Sequence, residues 1–210
     1  MKQPSELEIY LFDLKGFIVI KNALSKKEVK DCNQIIDKIK NTPPEQWNGN
    51  VHSKGNIDQH GVELQQIYEA GKPFEKLIDH PSWINHMLHF VGGKNTFDQH
   101  HGPLFIDENF ANIRGPGEAI GIHSGHHEGL QRNHFRFQEG KFHCGQVNIL
   151  LALSDIGPGD GGTVIIPSSH KSNIRHPEFE KNSMKKGKVT SAEKMTCLLY
   201  TSDAADDELG

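Results

Sequence analysis

The clearest pattern of apolar and polar positions lies in the first forty residues. A short apolar run, residues 17–20, predicts a strand. It is followed by Ser25 and Glu28, which have the spacing of a helix-capping box. Apolar residues then recur at helical spacing, namely Val29, Cys32, Ile35, Ile36 and Ile39. The pattern therefore predicts a strand followed by a helix, and Pro43-Pro44 ends that helix.

The next two regions differ in composition. Residues 41–62 are polar and rich in Gly and Asn, which predicts a long surface loop. Residues 63–91 predict a second helical region, interrupted near Pro73 and Pro81 and closed by Gly92-Gly93.

From about residue 95 the pattern changes to short runs divided by Gly and Pro, which predicts antiparallel strands. The best of these runs is residues 145–153, where Val147, Ile149, Leu151 and Leu153 alternate with Gln146 and Asn148. A Gly-rich turn at residues 157–162 separates it from a strand at 163–166. Helices first and strands afterwards predict an α+β fold with an all-β core.

Composition narrows the class of protein. The chain has 210 residues, 35% apolar and 24% charged, which suits one soluble globular domain. A net charge of −4 without a basic run excludes an electrostatic footprint for nucleic acid or an anionic membrane. No apolar stretch is long enough to span a bilayer, and the first residues do not have the pattern of a signal peptide. Three scattered cysteines suit reduced thiols, so that we expect a cytoplasmic protein.

Histidine is unusually frequent, with 14 residues, and one cluster lies in the segment RGPGEAIGIHSGHHE at 114–128. In an extended chain His123 faces away from Ile120 and Ile122, so that it can face a cavity. Non-haem iron oxygenases bind their metal with two His and one carboxylate. The residue two after His123 is Gly125, which cannot ligate, whereas Glu128 can approach from the loop. A solvated His-rich loop is the alternative, and the cupin His spacing fails at Gly125.

Two longer stretches resemble a known family. The opening of the phytanoyl-CoA dioxygenase family resembles the stretch LFDLKGFIVIKNALSKKEV. The Gly-Asp-Gly-Gly signature of the same family resembles LALSDIGPGDGGTVIIPSSHKSN, and the resemblance covers about residues 8–180. It implies a double-stranded β-helix (a cupin-like jelly roll) with N-terminal helices packed on one side. It also implies Fe(II) and 2-oxoglutarate as cofactors, O₂ and a small organic molecule as substrates, and hydroxylation as the reaction.

The resemblance assigns roles to individual residues. His123 takes the position of the first iron ligand, and Gly125 stands where the family usually has Asp. Glu128 is the preferred replacement carboxylate. A halide at the vacant position, as in related halogenases, and a non-catalytic ligand-binding jelly roll are the alternatives.

Further residues have two interpretations each. Arg114, Gln146 and Asn148 are candidates for binding 2-oxoglutarate, although a surface or structural role is open for all three. His170 is expected to be structural, and Cys144 to be a packing residue.

The last part of the chain does not fit the resemblance. The family places its second iron-binding His and a 2-oxoglutarate-binding Arg near the end of the jelly roll, but no His follows His176 and no Arg follows Arg175. The ending CLLYTSDAADDELG shows no alternation. We therefore expect one dioxygenase domain at residues 1–196, incomplete at its C-terminus, and a non-native tail without a strand at 197–210. The substrate and the oligomeric state stay open.

Overall fold

The computed structural model describes residues 3–54, 61–92, 103–115, 134–157, 160–174 and 197–199. The helices are α1 (Glu6–Lys15), α2 (Lys26–Ile39), α3 (Lys72–Glu75) and α4 (Ile84–Val91), with 3-10 helices at Ile67–Ala70 and Ser169–Lys171. The strands are β1 (Gln46–Asn48), β2 (Val51–Lys54), β3 (Gly61–Gln65), β4 (Phe110–Arg114), β5 (Phe137–Gln138), β6 (Lys141–Phe142), β7 (Thr163–Ile165) and β8 (Cys197–Leu199). Helix and strand are mixed, which confirms the α+β class.

The helix predicted from its capping box is present. The Ser25 side chain accepts the Glu28 backbone N–H, and the Glu28 carboxylate accepts the Ser25 N–H at 2.7 Å. The preceding helix α1 was not predicted, yet Ser5 and Glu8 form the same capping box at its start. Residues 17–20 form no strand, which corrects the prediction for that run.

The polar stretch predicted as a loop instead contains a β-hairpin. Strands β1 and β2 pair antiparallel through a two-residue turn, in which Gly49 has a φ of +62° that favours glycine. Strand β3 occupies residues predicted to start a helix, and the helical region begins only at Ile67. Four strands therefore form one antiparallel sheet in the order β1-β2-β3-β4.

One face of this sheet is closed by helix α2. Cys32 and Ile36 of α2 pack with Val51 and Leu64 of the sheet, all of them buried, and Ala111 and Ile113 of β4 join at the margin. We call this the closed face. Its apolar side chains alternate with the side chains of the opposite face because successive strand residues point to opposite sides.

A second core is mainly aromatic. Phe12 of α1 stacks on Phe90 of α4 with ring centroids 3.8 Å apart, and Phe142 of β6 meets both rings edge-on. Cys144 is buried against the same cluster. Burial raises the pKa of its thiol, so the group stays neutral and its expected packing role is confirmed.

Residues 145–153 form no strand, which corrects the prediction of a strand for this run. Val147, Leu151 and Leu153 are partly buried as the predicted alternation requires, but Ile149 is 40% exposed, so the alternation is interrupted at that residue. Val147 packs on the aromatic core and Leu153 on the α2 core, where the Asn33 side chain donates to the Leu153 carbonyl at 2.6 Å. The segment therefore connects the two cores without a ladder to another described strand.

The remaining strands form two small sheets, β5-β6 and β7-β8. The predicted strand at 163–166 is present as β7. It pairs antiparallel with β8, so the expectation that no strand forms after residue 196 is wrong for residues 197–199. Backbone pairing needs only an extended segment, and lack of alternation does not prevent it. The described strands form three separate sheets and do not close into one jelly roll.

Within the described ranges, no helix has both the length and the apolar character needed to cross a bilayer.

Candidate active site

The face of the four-stranded sheet opposite α2 carries polar and aromatic side chains, and we call it the open face. Cross-strand partners share a face, so the register defines its members row by row. They are Trp47, His52, Lys54, Glu63, Gln65, Phe110, Asn112 and Arg114. One sheet therefore has an apolar face that holds the fold and a face able to meet a ligand.

In the middle of the open face, the charge of Lys54 is compensated by Glu63. Lys54 Nζ lies 3.3 Å from Glu63 Oε1, and Gln65 donates to the same oxygen at 3.0 Å. His52 Nε2 lies 3.7 Å from the carboxylate of Glu45, and its ring centroid is 4.8 Å from that of Trp47. The middle of this face therefore offers hydrogen-bonding groups without a strong net charge.

Arg114 is the last residue of β4 and lies on the open face, exposed. Its cross-strand partner is Gly61. A Cβ at position 61 would lie 3.0 Å from the Ile113 carbonyl oxygen and 3.7 Å from the Arg114 side chain. Glycine thus permits the close approach of β3 to the end of β4.

The metal ligands predicted from the sequence belong to another part of the chain. His123 and Glu128, and the departure at Gly125, lie outside the described residues, between Arg114 and the point where the described chain resumes at His134. Among the residues that are described, no cluster of three or more His, Cys, Asp or Glu side chains is arranged to hold a metal ion. The metal site therefore stays a prediction from the sequence.

Gln146 and Asn148 are exposed on the segment after β6. They belong to a different part of the fold from Arg114, which lies in the four-stranded sheet. The residue between them, Val147, is partly buried against the aromatic core. Their predicted role in binding 2-oxoglutarate therefore stays a prediction from the sequence.

His170 has the structural role that was expected. Its Nε2 hydrogen-bonds the Asp13 carbonyl at 3.0 Å, and its ring meets Phe135 edge-on. Burial is the main cause that lowers the pKa of His170, so the neutral form is favoured. A side chain at Gly16, whose φ is +84°, would collide with this ring.

The neighbours of His170 complete a clamp on the end of α1. The Ser168 N–H donates to the Lys15 carbonyl at 2.9 Å, and its hydroxyl donates to the Leu14 carbonyl at 2.7 Å. Lys171 lies 3.2 Å from the Asp13 carboxylate. Residues 168–171 thereby satisfy carbonyls that a helix leaves unpaired at its C-terminus.

Sequence reasoning missed the open-face residues of β1–β3. It assigned Trp47, His52 and Lys54 to a loop and Glu63 to a helix. Three-residue and four-residue strands carry little periodicity of their own, and only their pairing places these side chains together. The two-residue turn at Gly49 is the signal that could have indicated a hairpin.

Comparison with known proteins defines the class. The family model of phytanoyl-CoA dioxygenase (PhyH) matches residues 12–201. The chain belongs to this family, whose members are iron- and 2-oxoglutarate-dependent oxygenases. The resemblance found in the sequence is confirmed, and so are the cofactors Fe(II) and 2-oxoglutarate at the level of the family. The match continues past residue 196 into β8.

Solved structures agree in fold. The chain is similar to HygX from Streptomyces hygroscopicus with nickel, 2-oxoglutarate and hygromycin B bound, at 17% identity and a TM-score of 0.66. The similarity covers 93% of this chain and 73% of that one. A second HygX structure, with nickel and 2-oxoglutarate bound, gives 16% identity and a TM-score of 0.65 over the same shares. No curated protein matches the sequence.

Proposed function

We propose that this protein is an Fe(II)- and 2-oxoglutarate-dependent dioxygenase that hydroxylates a small organic substrate. The observation that carries the proposal is the family match over residues 12–201. The HygX structures, which hold a metal and 2-oxoglutarate in a similar fold, support the same cofactors here. A jelly-roll core in the complete protein is part of the proposal.

In this proposal His123 and Glu128 hold the iron. Arg114, Gln146 and Asn148 bind 2-oxoglutarate. The chemistry of Arg114 suits this role. Its side chain puts a cation on the open face, at the end of the strand that precedes His123 in the sequence. A guanidinium suits a carboxylate because it can donate two parallel hydrogen bonds. This donor therefore fits the co-substrate.

The bound iron would supply the activation of O₂ that oxidises an unactivated C–H bond. The protein's own part is to hold and orient. Arg114 neutralises one carboxylate of 2-oxoglutarate, and the amides of Gln146 and Asn148 donate hydrogen bonds to its oxygens. His123 binds metal only in its neutral form, so we expect metal affinity to fall as the pH drops below the pKa of imidazole.

Gly125 supports a second candidate, a halogenase-like enzyme. A glycine in the carboxylate position leaves room for a halide on the metal. The third candidate, a jelly roll that binds a ligand without catalysis, follows if neither Glu128 nor a halide completes the metal site.

The residues that the family requires further along its jelly roll are also part of the proposal. We propose that a second iron-binding His and a second Arg belong to later strands of that jelly roll, and that residues 1–196 are one dioxygenase domain. Sequencing the locus across codon 197 tests this. A continuous reading frame that encodes a His followed within a strand or two by an Arg supports it, and the native continuation CLLYTSDAADDELG contradicts the tail assignment.

The experiment on function uses the complete gene product with Fe(II), 2-oxoglutarate and O₂, and measures succinate formation. His123→Ala is expected to abolish turnover and to leave the circular dichroism spectrum unchanged. His127→Ala, in the same segment, is the matched control and is expected to retain turnover. Full turnover by His123→Ala contradicts the assignment of this residue.

Glu128→Ala separates the candidates. Loss of Fe(II) affinity supports Glu128 as the carboxylate ligand. Unchanged affinity that chloride then tightens supports the halogenase-like enzyme. Absence of 2-oxoglutarate turnover in the wild-type protein, with Fe(II) bound or not, supports the non-catalytic jelly roll.

A further inference from the structure

The open face contains a row of side chains that the proposed cofactor chemistry does not use. Trp47, His52, Gln65 and Phe110 are successive cross-strand partners across all four strands, and we call them the aromatic row. Trp47 is 58% exposed and Phe110 is 42% exposed. Large aromatic side chains normally gain free energy from burial, so two of them exposed in one row point to a ligand that covers them.

The geometry of the row limits the ligand. Four adjacent strands put its ends about 14 Å apart, which is the length of about two or three linked six-membered rings. The ends are aromatic rings, and the middle offers the imidazole of His52 and the amide of Gln65. A ligand that fits has apolar C–H faces at its ends and hydroxyl groups between them.

Charge also limits the ligand. Lys54 is compensated by Glu63 at 3.3 Å in the neighbouring row, and His52 lies 3.7 Å from Glu45. The row therefore offers no cluster of unopposed cations, whereas a coenzyme A thioester carries several phosphate charges that call for such a cluster. A neutral ligand complements this surface, and an acyl-CoA does not.

The row is continuous with the candidate active site. Strand β4 carries Phe110 in the aromatic row, Asn112 in the next row and Arg114 at its end, all on the open face. A ligand on the row would thus extend toward the site at which Arg114 is proposed to bind 2-oxoglutarate.

From these observations we propose that the aromatic row binds the substrate, and that the substrate is a neutral, polyhydroxylated compound of two or three rings, such as an oligosaccharide. That the ligand is the substrate rests on the proposed function. That a binding site exists here rests on the aromatic row alone. Trp47 stacks on one ring, Phe110 on another, and His52 and Gln65 hydrogen-bond the hydroxyl groups between them.

The test uses the complete protein, with maltotriose as the neutral probe and octanoyl-CoA as the charged one. Trp47 and Trp83 are the tryptophans of this sequence, and Trp83 is only 3% exposed, so the iodide quenching that disappears in Trp47→Phe is assigned to Trp47. Maltotriose is expected to protect the fluorescence from iodide in a saturable way, and octanoyl-CoA is expected to give no protection. Protection by octanoyl-CoA, or by neither probe, overturns the inference.

Variants connect the signal to the row. By calorimetry, Trp47→Ala and Phe110→Ala are each expected to weaken maltotriose binding at least about tenfold, because each loses a stacking face. Phe137→Ala is the matched control, since Phe137 is 50% exposed but lies on β5 in another sheet. An equal loss in Phe137→Ala overturns the assignment to the row.

A parallel assay of succinate formation separates the two proposals. Maltotriose binding that depends on Trp47, without any 2-oxoglutarate turnover, supports the binding site and contradicts the proposed function. Turnover without maltotriose binding contradicts the binding site and leaves the proposed function intact.

Discussion

The closed and open faces of the four-stranded sheet are built from the same strands, yet they differ in almost every property. On β3, Leu64 is 1% exposed and packs under α2, while its neighbours Glu63 and Gln65 point to the other side and bond to each other. The two-residue period of a strand alone produces this separation. It lets residues that hold the fold and residues that meet a ligand alternate along one chain, so that each set can be changed without the other.

The largest effect is expected on the closed face. Leu64→Ala removes a fully buried side chain from the α2 core and should lower the free energy of unfolding by about 2–5 kcal/mol. Urea denaturation measures this. Gln65→Ala, one residue along and on the open face, is the control, and an equal loss there would remove the distinction between the faces.

A smaller effect is expected where α2 covers the sheet. Cys32 is 0% exposed, and Cys32→Ser would bury a hydroxyl in its place, with an expected loss of about 1–3 kcal/mol. Cys32→Ala is the matched variant, which leaves a small cavity but no buried polar group. Thermal unfolding should place the serine variant at or below the alanine variant, and a serine variant as stable as wild type would contradict the dry packing of this face.

The cap of α2 should give a pH-dependent effect. Hydrogen bonds from Ser25, and then from His80 at 3.2 Å, lower the pKa of Glu28 from 4.5 to about 2. Because the folded pKa is lower than the unfolded one, this stabilisation is present above about pH 4.5 and is lost as the pH falls toward 2. Glu28→Gln should flatten the dependence of stability on pH in that window. An unchanged profile would mean that the cap does not contribute.

The smallest effect on stability is expected at the open face. Arg114→Ala should change the free energy of unfolding by no more than about 0.5 kcal/mol, because the side chain is exposed. If the proposed function is right, the same variant raises KM for 2-oxoglutarate with little change in stability. Arg136→Ala, on another segment, is the control for the loss of a positive charge. A large loss of stability in Arg114→Ala would make it a structural residue.

The elements of the fold that could be predicted are those whose sequence pattern lies within one short segment. Helix α2 was predicted because its cap and its apolar spacing lie within fifteen residues. Helix α1 was missed because apolar residues lie all round it: Phe12 is buried, whereas Leu7 and Tyr10 are exposed on the other side. The apolar residues of α1 therefore do not define one face of the helix, although the capping box at Ser5 could have indicated its start.

The candidate site was predicted only in part for the same reason. Gln146 and Asn148 were identified from strand parity and Arg114 from its place on the strand before His123; all three are exposed, and their roles in binding stay predictions. The aromatic row was not found, because the residues of β1 to β3 were predicted as loop and helix and because Phe110 comes from a strand distant in sequence. Only the register of β1 to β4 makes Trp47 and Phe110 part of one surface.

The clamp at residues 168–171 has a consequence for the order in which the protein forms during synthesis. The capping box at Ser5 can start α1 as soon as the first turn has left the ribosome. The hydrogen-bond donors for its last carbonyls, however, are 154 and 157 residues further along the chain. Contacts of such separation form late. The first helix of this chain is therefore among the last elements to be secured, and until then the aromatic contacts of Phe12 with Phe90 and Phe142 have to hold it in place.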